Sequence, residues 1–132
     1  MTKTIHVRTK SRTEFIDITS DVKNIVSKSG VSSGVCYVYV PHTTAGVTIN
    51  EGADPAVAKD ILSTLNKLIS HSNGYLHMEG NSDAHIKTSL VGPSQTVIIE
   101  NGNLLIGTWQ AVFFCEFDGA RSRKVVVKVM GS

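Results

Sequence analysis

Apolar and polar residues alternate from residue 3 to residue 9, with Ile5 and Val7 on one side. The alternation returns less cleanly from 13 to 18 in Phe15, Ile16 and Ile18. A period of two marks a strand, and Lys10-Ser11-Arg12 between the two runs predicts a turn. Val22, Ile25 and Val26 then switch to i, i+3, i+4 spacing. Capping side chains between Asp17 and Asp21 precede them and Gly30 follows, which predicts a short helix over 20–29. Residues 35–40, Val-Cys-Tyr-Val-Tyr-Val, form an unbroken β-branched and aromatic run ended by Pro41. That pattern predicts a central strand buried on both faces, and 46–50 predicts a second short strand.

Asp54-Pro55 supplies a cap and a first-turn proline. Val57, Ile61, Leu62, Leu65, Leu68 and Ile69 follow at helical spacing. They predict the longest helix, over 55–70, packed on a sheet and stopped by Asn73-Gly74. Residues 95–100 read as a strand and Asn101-Gly102-Asn103 as a hairpin turn. Residues 104–117 are apolar, bent at Gly107, with Trp109, Ala111, Phe113, Cys115 and Phe117 on one face. After an Asp118-Gly119 turn, 121–130 predicts the last strand, Val125, Val127 and Val129 opposing Lys124 and Lys128. Strands and helices come first, then an antiparallel run of three strands. The expectation is an α+β fold of largely antiparallel sheets in a sandwich-like arrangement packed with two to three helices.

Composition bounds the function classes. A chain of 132 residues makes one domain, 1–132. Thirteen basic residues against eleven acidic ones leave a charge of +2, which gives no case for a nucleic-acid partner. The apolar runs fall short of the ~20 residues of a membrane span. The N-terminal stretch has no apolar core of a signal peptide. Cys36 and Cys115 lie in apolar runs and read as free buried thiols, so a cytoplasmic location is expected.

Three of the five histidines lie in two polar segments. Pro41-His42-Thr43-Thr44 sits where a buried strand ends, a place where folds hold reactive groups on a rigid base. In residues 77–85, His77, Glu79, Asn81, Asp83 and His85 occupy every odd position. If extended, the segment puts all five on one face; alternatively a helix starts near Ser82 with Asn81 or Ser82 as cap. His42, His77 and His85 together suit a divalent metal, Zn²⁺ more than Mg²⁺, with an open position. Glu51 could then be a fourth ligand, a partner of a ligand, or a general base, or it could merely cap the long helix. Taken singly, each histidine fits a solvated or backbone-bonded role as well. In Gly107-Thr108-Trp109-Gln110 the Trp could fill core or wall a ring-binding site. Arg121 and Arg123 could fork onto phosphate or simply start a basic strand. His6 and His71 read as surface residues.

These patches, in this order, resemble the YjbQ-like family, often labelled secondary thiamine-phosphate synthase. The resemblance runs through PHTTAGVTINEGADP at 41–55, HMEGNSDAHIKTSLVGPS at 77–94 and GNLLIGTWQAVFFCEFDGARSRKVVV at 102–127. It implies a compact α+β sandwich assembled as a homotrimer. It implies a polar cluster of His42, Thr43, Asn50, Glu51, His77, Asn81 and His85, with Trp109, Gln110 and Arg121 nearby. The implied reaction joins hydroxymethylpyrimidine pyrophosphate to thiazole phosphate and releases pyrophosphate. His42, Glu51 and Asn81 would be catalytic, and Thr43, Asn50, Trp109, Gln110 and Arg121 would bind substrate. The role of Asp83 stays open. Two alternatives stand beside this reading. One is a Zn-class metal enzyme acting on another small phosphorylated metabolite, and the other is a non-enzymatic trimeric ligand-binding protein.

Overall fold

The local patterns become elements close to where the sequence puts them. The computed structural model describes all 132 residues. The elements are Thr2–Arg8 (β1), Glu14–Asp17 (β2), Thr19–Ser29 (α1), Gly34–Tyr39 (β3), Ala45–Glu51 (β4), Pro55–Leu68 (α2), Ser82–Val91 (α3), Ser94–Glu100 (β5), Asn103–Leu104 (β6), Gln110–Glu116 (β7) and Ser122–Gly131 (β8). They build one five-stranded sheet in the order β1-β8-β3-β5-β6 and one three-stranded sheet in the order β2-β7-β4. Every pairing is antiparallel. With three helices, this is the α+β sandwich that the patterns predict.

The main core lies between the sheets. Val38, Val97 and Val127 from the larger sheet meet Val47, Val112 and Phe114 from the smaller one, and Val22 and Val26 of α1 close the edge. The far face of the smaller sheet carries Ala111, Phe113, Cys115 and Phe117, covered by Ala84 of α3 and by Ala58, Leu62 and Leu65 of α2. β7 is therefore the strand buried on both faces, and each of its residues from Ala111 to Glu116 is buried. That corrects the expectation for 35–40. In β3 only Cys36 and Val38 are buried, while Tyr37 and Tyr39 stand exposed. The reason is layer order: β3 is central in its sheet, but helices cover only the other sheet's far face.

Three further expectations change. The last strands are not one meander, because β5, β6 and β8 lie in the larger sheet while β7 crosses to the smaller one. The irregular residues 105–109 let the chain leave the first sheet. Trp109 precedes β7 and is 65% exposed, so it does not share the buried face of Ala111 and Phe113. Helix α2 ends at Leu68, before Asn73-Gly74, and none of its residues is fully buried. Its start is as expected: Asp54 accepts a hydrogen bond from the Ala56 N–H, and Pro55 opens the first turn. Residues 82–91 are helical, which settles the ambiguous segment in favour of a helix beginning at Ser82.

Candidate functional site

Where β3 passes into β4, the chain makes the polar step Pro41 to Thr44. Beside it run the segment leading into α3 and the first residues of β8. Together they wall a cleft of about 610 Å³. Tyr39, Pro41, His42, Thr43 and Thr44 line it from the β3–β4 side, His77, Glu79, Asn81 and His85 from the α3 side, and Arg121 and Arg123 from β8 and the turn before it. The volume is that of a small-molecule site, and the lining is unusually polar for one.

The floor is built on a buried charge pair. Glu116, the last residue of β7, has no exposed surface, and a lone carboxylate there would be strongly disfavoured. It is satisfied from three sides. Arg123 Nε donates to it at 2.8 Å and Arg123 Nη2 donates to its other oxygen. Thr9 Oγ1 donates at 2.8 Å and the Asp118 N–H at 3.0 Å. Burial alone would push the Glu116 carboxyl up, but Arg123, Asp118 and Thr9 outweigh it and hold it below the usual range. Arg123 Nη2 also donates to Thr44 Oγ1 at 2.8 Å, which ties the floor to the β3–β4 step.

His42 stands over this pair. Its Nε2 accepts the backbone N–H of Lys124 at 3.1 Å. Burial, and then the nearby Arg123 charge, lower its pKa from the ordinary histidine value. Across the cleft, the His77 and His85 rings meet edge to face with centroids 5.3 Å apart. Glu79 Oε2 lies 3.8 Å from His77 Nε2.

Asn81 and Arg121 are set by one carboxylate. Asp118 accepts from Asn81 Nδ2 at 2.8 Å and from Arg121 Nη2 at 2.8 Å, and its carbonyl accepts from Arg121 Nε at 2.7 Å. Asn81 Oδ1 is then left buried without a partner. Such an orphan acceptor costs about 1–3 kcal/mol. Asp83 does not line the cleft. It is fully buried and anchors α3, with Arg12 at 3.1 Å, His71 at 3.2 Å and Lys87 at 3.6 Å. Burial opposes its charge, but the Arg12 and His71 hydrogen bonds and the Lys87 charge prevail, so its pKa lies below the ordinary carboxylate value. His71 is thus more than a free surface residue: its Nδ1 is engaged with this carboxylate.

The structure brings together His42, Thr43, His77, Asn81, His85 and Arg121 of the expected cluster. It separates the others within the chain. Glu51 closes β4 at the end opposite the His42 step, about 20 Å along an extended strand. It lines a different groove, of about 400 Å³, between β2, β4 and α2. Asn50 turns its side chain onto the Glu51 N–H at 2.7 Å. Gln110 caps the preceding turn, its Oε1 accepting the Gly107 N–H at 2.8 Å, and Trp109 beside it is exposed. The three histidines share a cleft but not a coordination sphere, since no group of three His, Cys, Asp or Glu side chains converges as a ligand set. His42 also has its acceptor nitrogen committed to Lys124. The arrangement therefore does not fit a resident three-histidine metal.

Thr44, in the polar step that the sequence marks as a candidate, lines the cleft as expected, whereas Tyr39, Glu116 and Asp118 belong to the site without being marked as site residues by the sequence. One signal was present for Glu116: a single carboxylate inside the apolar run Phe-Phe-Cys-Glu-Phe must have a buried partner. Tyr39 carries no such mark.

Comparison with known proteins agrees with the fold. A UPF0047 protein of Methanocaldococcus jannaschii is 54% identical, covering 95% of this chain and 91% of the relative. The UPF0047 protein YugU of Bacillus subtilis is 50% identical, covering 99% of this chain and all of the relative. A solved structure of an uncharacterized conserved protein from Clostridium acetobutylicum superposes with a TM-score of 0.96 at 55% identity, covering 97% of this chain and 99% of the other. A YbjQ-like protein of unknown function from Sulfolobus solfataricus reaches 0.97 at 32% identity, covering all of this chain and 97% of the other. The family model for UPF0047 protein YjbQ-like matches residues 3–132, and the chain belongs to this family, whose function is uncharacterised.

Proposed function

We propose that the chain is an enzyme acting on a small phosphorylated metabolite in the His42–Arg121–Arg123 cleft. The observation that carries the reading is the meeting of three imidazoles and two guanidinium groups in one cleft of metabolite size. Guanidinium groups match the geometry of phosphate oxygens, and imidazoles can donate or move protons near neutral pH. The specific reaction we put forward is the condensation of hydroxymethylpyrimidine pyrophosphate with thiazole phosphate. Arg121 would take charge on the departing pyrophosphate. Tyr39, rather than the distant Trp109, offers an aromatic wall for a ring.

The test is turnover by purified protein supplied with both phosphorylated halves. Thiamine phosphate and pyrophosphate are expected in equal amounts. Arg121→Ala removes a charged hydrogen bond of about 1.5–3 kcal/mol. It should cut kcat/KM by roughly 10- to 100-fold. Trp109→Ala should leave turnover unchanged. No product, or a full loss in Trp109→Ala with none in Arg121→Ala, would remove this reading.

A second reading keeps a Zn-class ion on the His77 and His85 pair alone, whose rings approach to 5.3 Å, with solvent or the ligand completing its shell. Equilibrium dialysis with Zn²⁺ tests it: stoichiometric binding abolished by His85→Ala supports it, and no binding overturns it. We further propose a homotrimer, supported by the exposed Tyr37, Tyr39, Ile98 and Met130 on the larger sheet. A cytoplasmic location is supported by the unpaired thiols of Cys36 and Cys115. No helix is long and apolar enough to cross a membrane.

A further inference from the structure

Two donors in the cleft have fixed directions and no protein partner. The first belongs to His42. A neutral imidazole has one acceptor nitrogen and one donor. Its Nε2 takes the Lys124 N–H, a backbone group that can only donate. The ring proton therefore sits on Nδ1, and His42 presents an N–H there. The second belongs to Arg123. Its Nε and one side of Nη2 grip Glu116, and Nη2 also reaches Thr44. Only Nη1, with two N–H groups, is left without a protein acceptor. Guanidinium planarity then fixes where those hydrogens point. Arg123 is more than nine-tenths buried, and both it and His42 line the cleft.

We infer that the His42 Nδ1–H and the Arg123 Nη1–H groups form a preorganised seat for one phosphoryl group of the ligand. This rests on the reading of the cleft as a phosphorylated-metabolite site, and it assigns His42 a role different from metal ligand or proton acceptor. Glu116, Thr9, Thr44 and the Lys124 backbone hold both donors before any ligand arrives, so little ordering cost is left to binding. The Glu116 carboxylate compensates Arg123 on the side away from the cleft. The seat thus presents donors to an oxyanion without an unpaired buried charge. Arg121, held by Asp118, lines the same cleft and adds a second guanidinium to it.

The seat can be tested apart from turnover, with inorganic phosphate as probe and ³¹P NMR or calorimetry as readout. In Asn the side-chain amide nitrogen stands near the Nδ1 position of His, whereas Gln extends to the Nε2 position. His42→Asn should keep phosphate affinity within about threefold, and His42→Gln should lose about tenfold or more, the scale of one lost hydrogen bond. Arg123→Lys keeps a charge on Glu116 but removes Nη1, and it should also lose about tenfold. Circular dichroism confirms that each variant is folded before its affinity counts. Long-range ¹H–¹⁵N spectra should find His42 as the Nδ1–H tautomer.

Affinity kept by both His42 variants, lost by both, or kept only by His42→Gln would overturn the seat. So would an Nε2–H tautomer, or no saturable phosphate binding by the wild type in the millimolar range. The two proposals fail separately. A wild type that binds phosphate as described but turns nothing over keeps the seat and loses the enzyme reading. Turnover with a fully active His42→Gln does the reverse.

Discussion

Glu116 and Arg123 set the energetics of the site at the residue scale. Both are buried and each answers the other. Replacing one partner leaves the second as an uncompensated charge, which costs about 3–5 kcal/mol. Glu116→Gln should lose stability by that amount in urea denaturation, with the m-value unchanged. The acid limb of the pH dependence follows from the same carboxylate and from Asp83. Both fold with pKa values lowered from ordinary values of 4.5 and 3.8. The unfolded state therefore binds more protons as the solution is acidified. Their contribution is complete above the ordinary values and is lost as pH falls through the lower folded ones. The His42 imidazole, also lowered from its ordinary value of 6.5, should start a shallow fall of the thermal midpoint as pH drops below that value. The two carboxylates should steepen the fall below about pH 5, and Glu116→Gln should flatten part of that acid limb. A wild-type midpoint that rises on acidification would contradict this account.

The same residues show what a sequence can reveal at this scale. His42, His77, His85, Asn81 and Arg121 are visible because their types announce chemistry and their segments are otherwise polar. Glu51, Asn50, Trp109 and Gln110 carry equally eligible types, yet β4 spans the molecule and carries Glu51 away, while Gln110 is spent on its own turn. Residue type states what a group can do. Only strand length and direction state which groups meet.

At the scale of elements, local signals held and pairing did not show through. Hairpin β5–β6 joins at Glu100 and Asn103 through Asn101 and Gly102, both at positive φ, as an Asn-Gly turn requires. Helix α2 starts where Asp54 and Pro55 say it should. The choice of sheet for β7 rests on partners far away in sequence, such as Asp17 and Thr48 opposite Phe113, so periodicity could not give it. The weakness of α2 is also nonlocal. Its apolar stripe is present in sequence, but Ala58, Leu62 and Leu65 are only half-buried against the second core. Its stability should lean on its cap. Asp54→Ala is expected to cost about 0.5–2 kcal/mol, and Asp54→Gly a few tenths relative to Asp. Hydrogen exchange should find α2 amides opening well before those of β3 and β8, and faster still in Asp54→Ala. Equal protection of α2 and β8 would show that the helix is held more firmly than its burial implies.

For the whole molecule, the unresolved contrast is between the two outer faces. Helices α2 and α3 cover the small sheet, while the large sheet leaves its outer face open. Register shows how continuous that face is. Val35 pairs with Ile98 and Met130, Tyr37 with Thr96 and Lys128, and Tyr39 with Ser94 and Val126. Directly paired residues point to the same side, so Ile98, Met130, Tyr37, Tyr39 and Val126 form one patch crossed by a single Lys128. A broad apolar patch on a sheet marks an interaction surface. In the proposed homotrimer a second copy of this chain covers it. That assembly would give the unbroken apolar run at 35–40 a physical reason, because its second face would be buried between copies rather than in the chain. Light scattering after size exclusion should give three times the mass of 14.2 kDa for the wild type. Tyr37→Lys with Ile98→Lys places like charges beside Lys128 and should yield a folded monomer. Tyr39 belongs both to this patch and to the cleft, so the monomer should also bind phosphate more weakly while keeping its circular dichroism. A wild type that is monomeric throughout, or a double variant that stays trimeric, would place the assembly surface elsewhere.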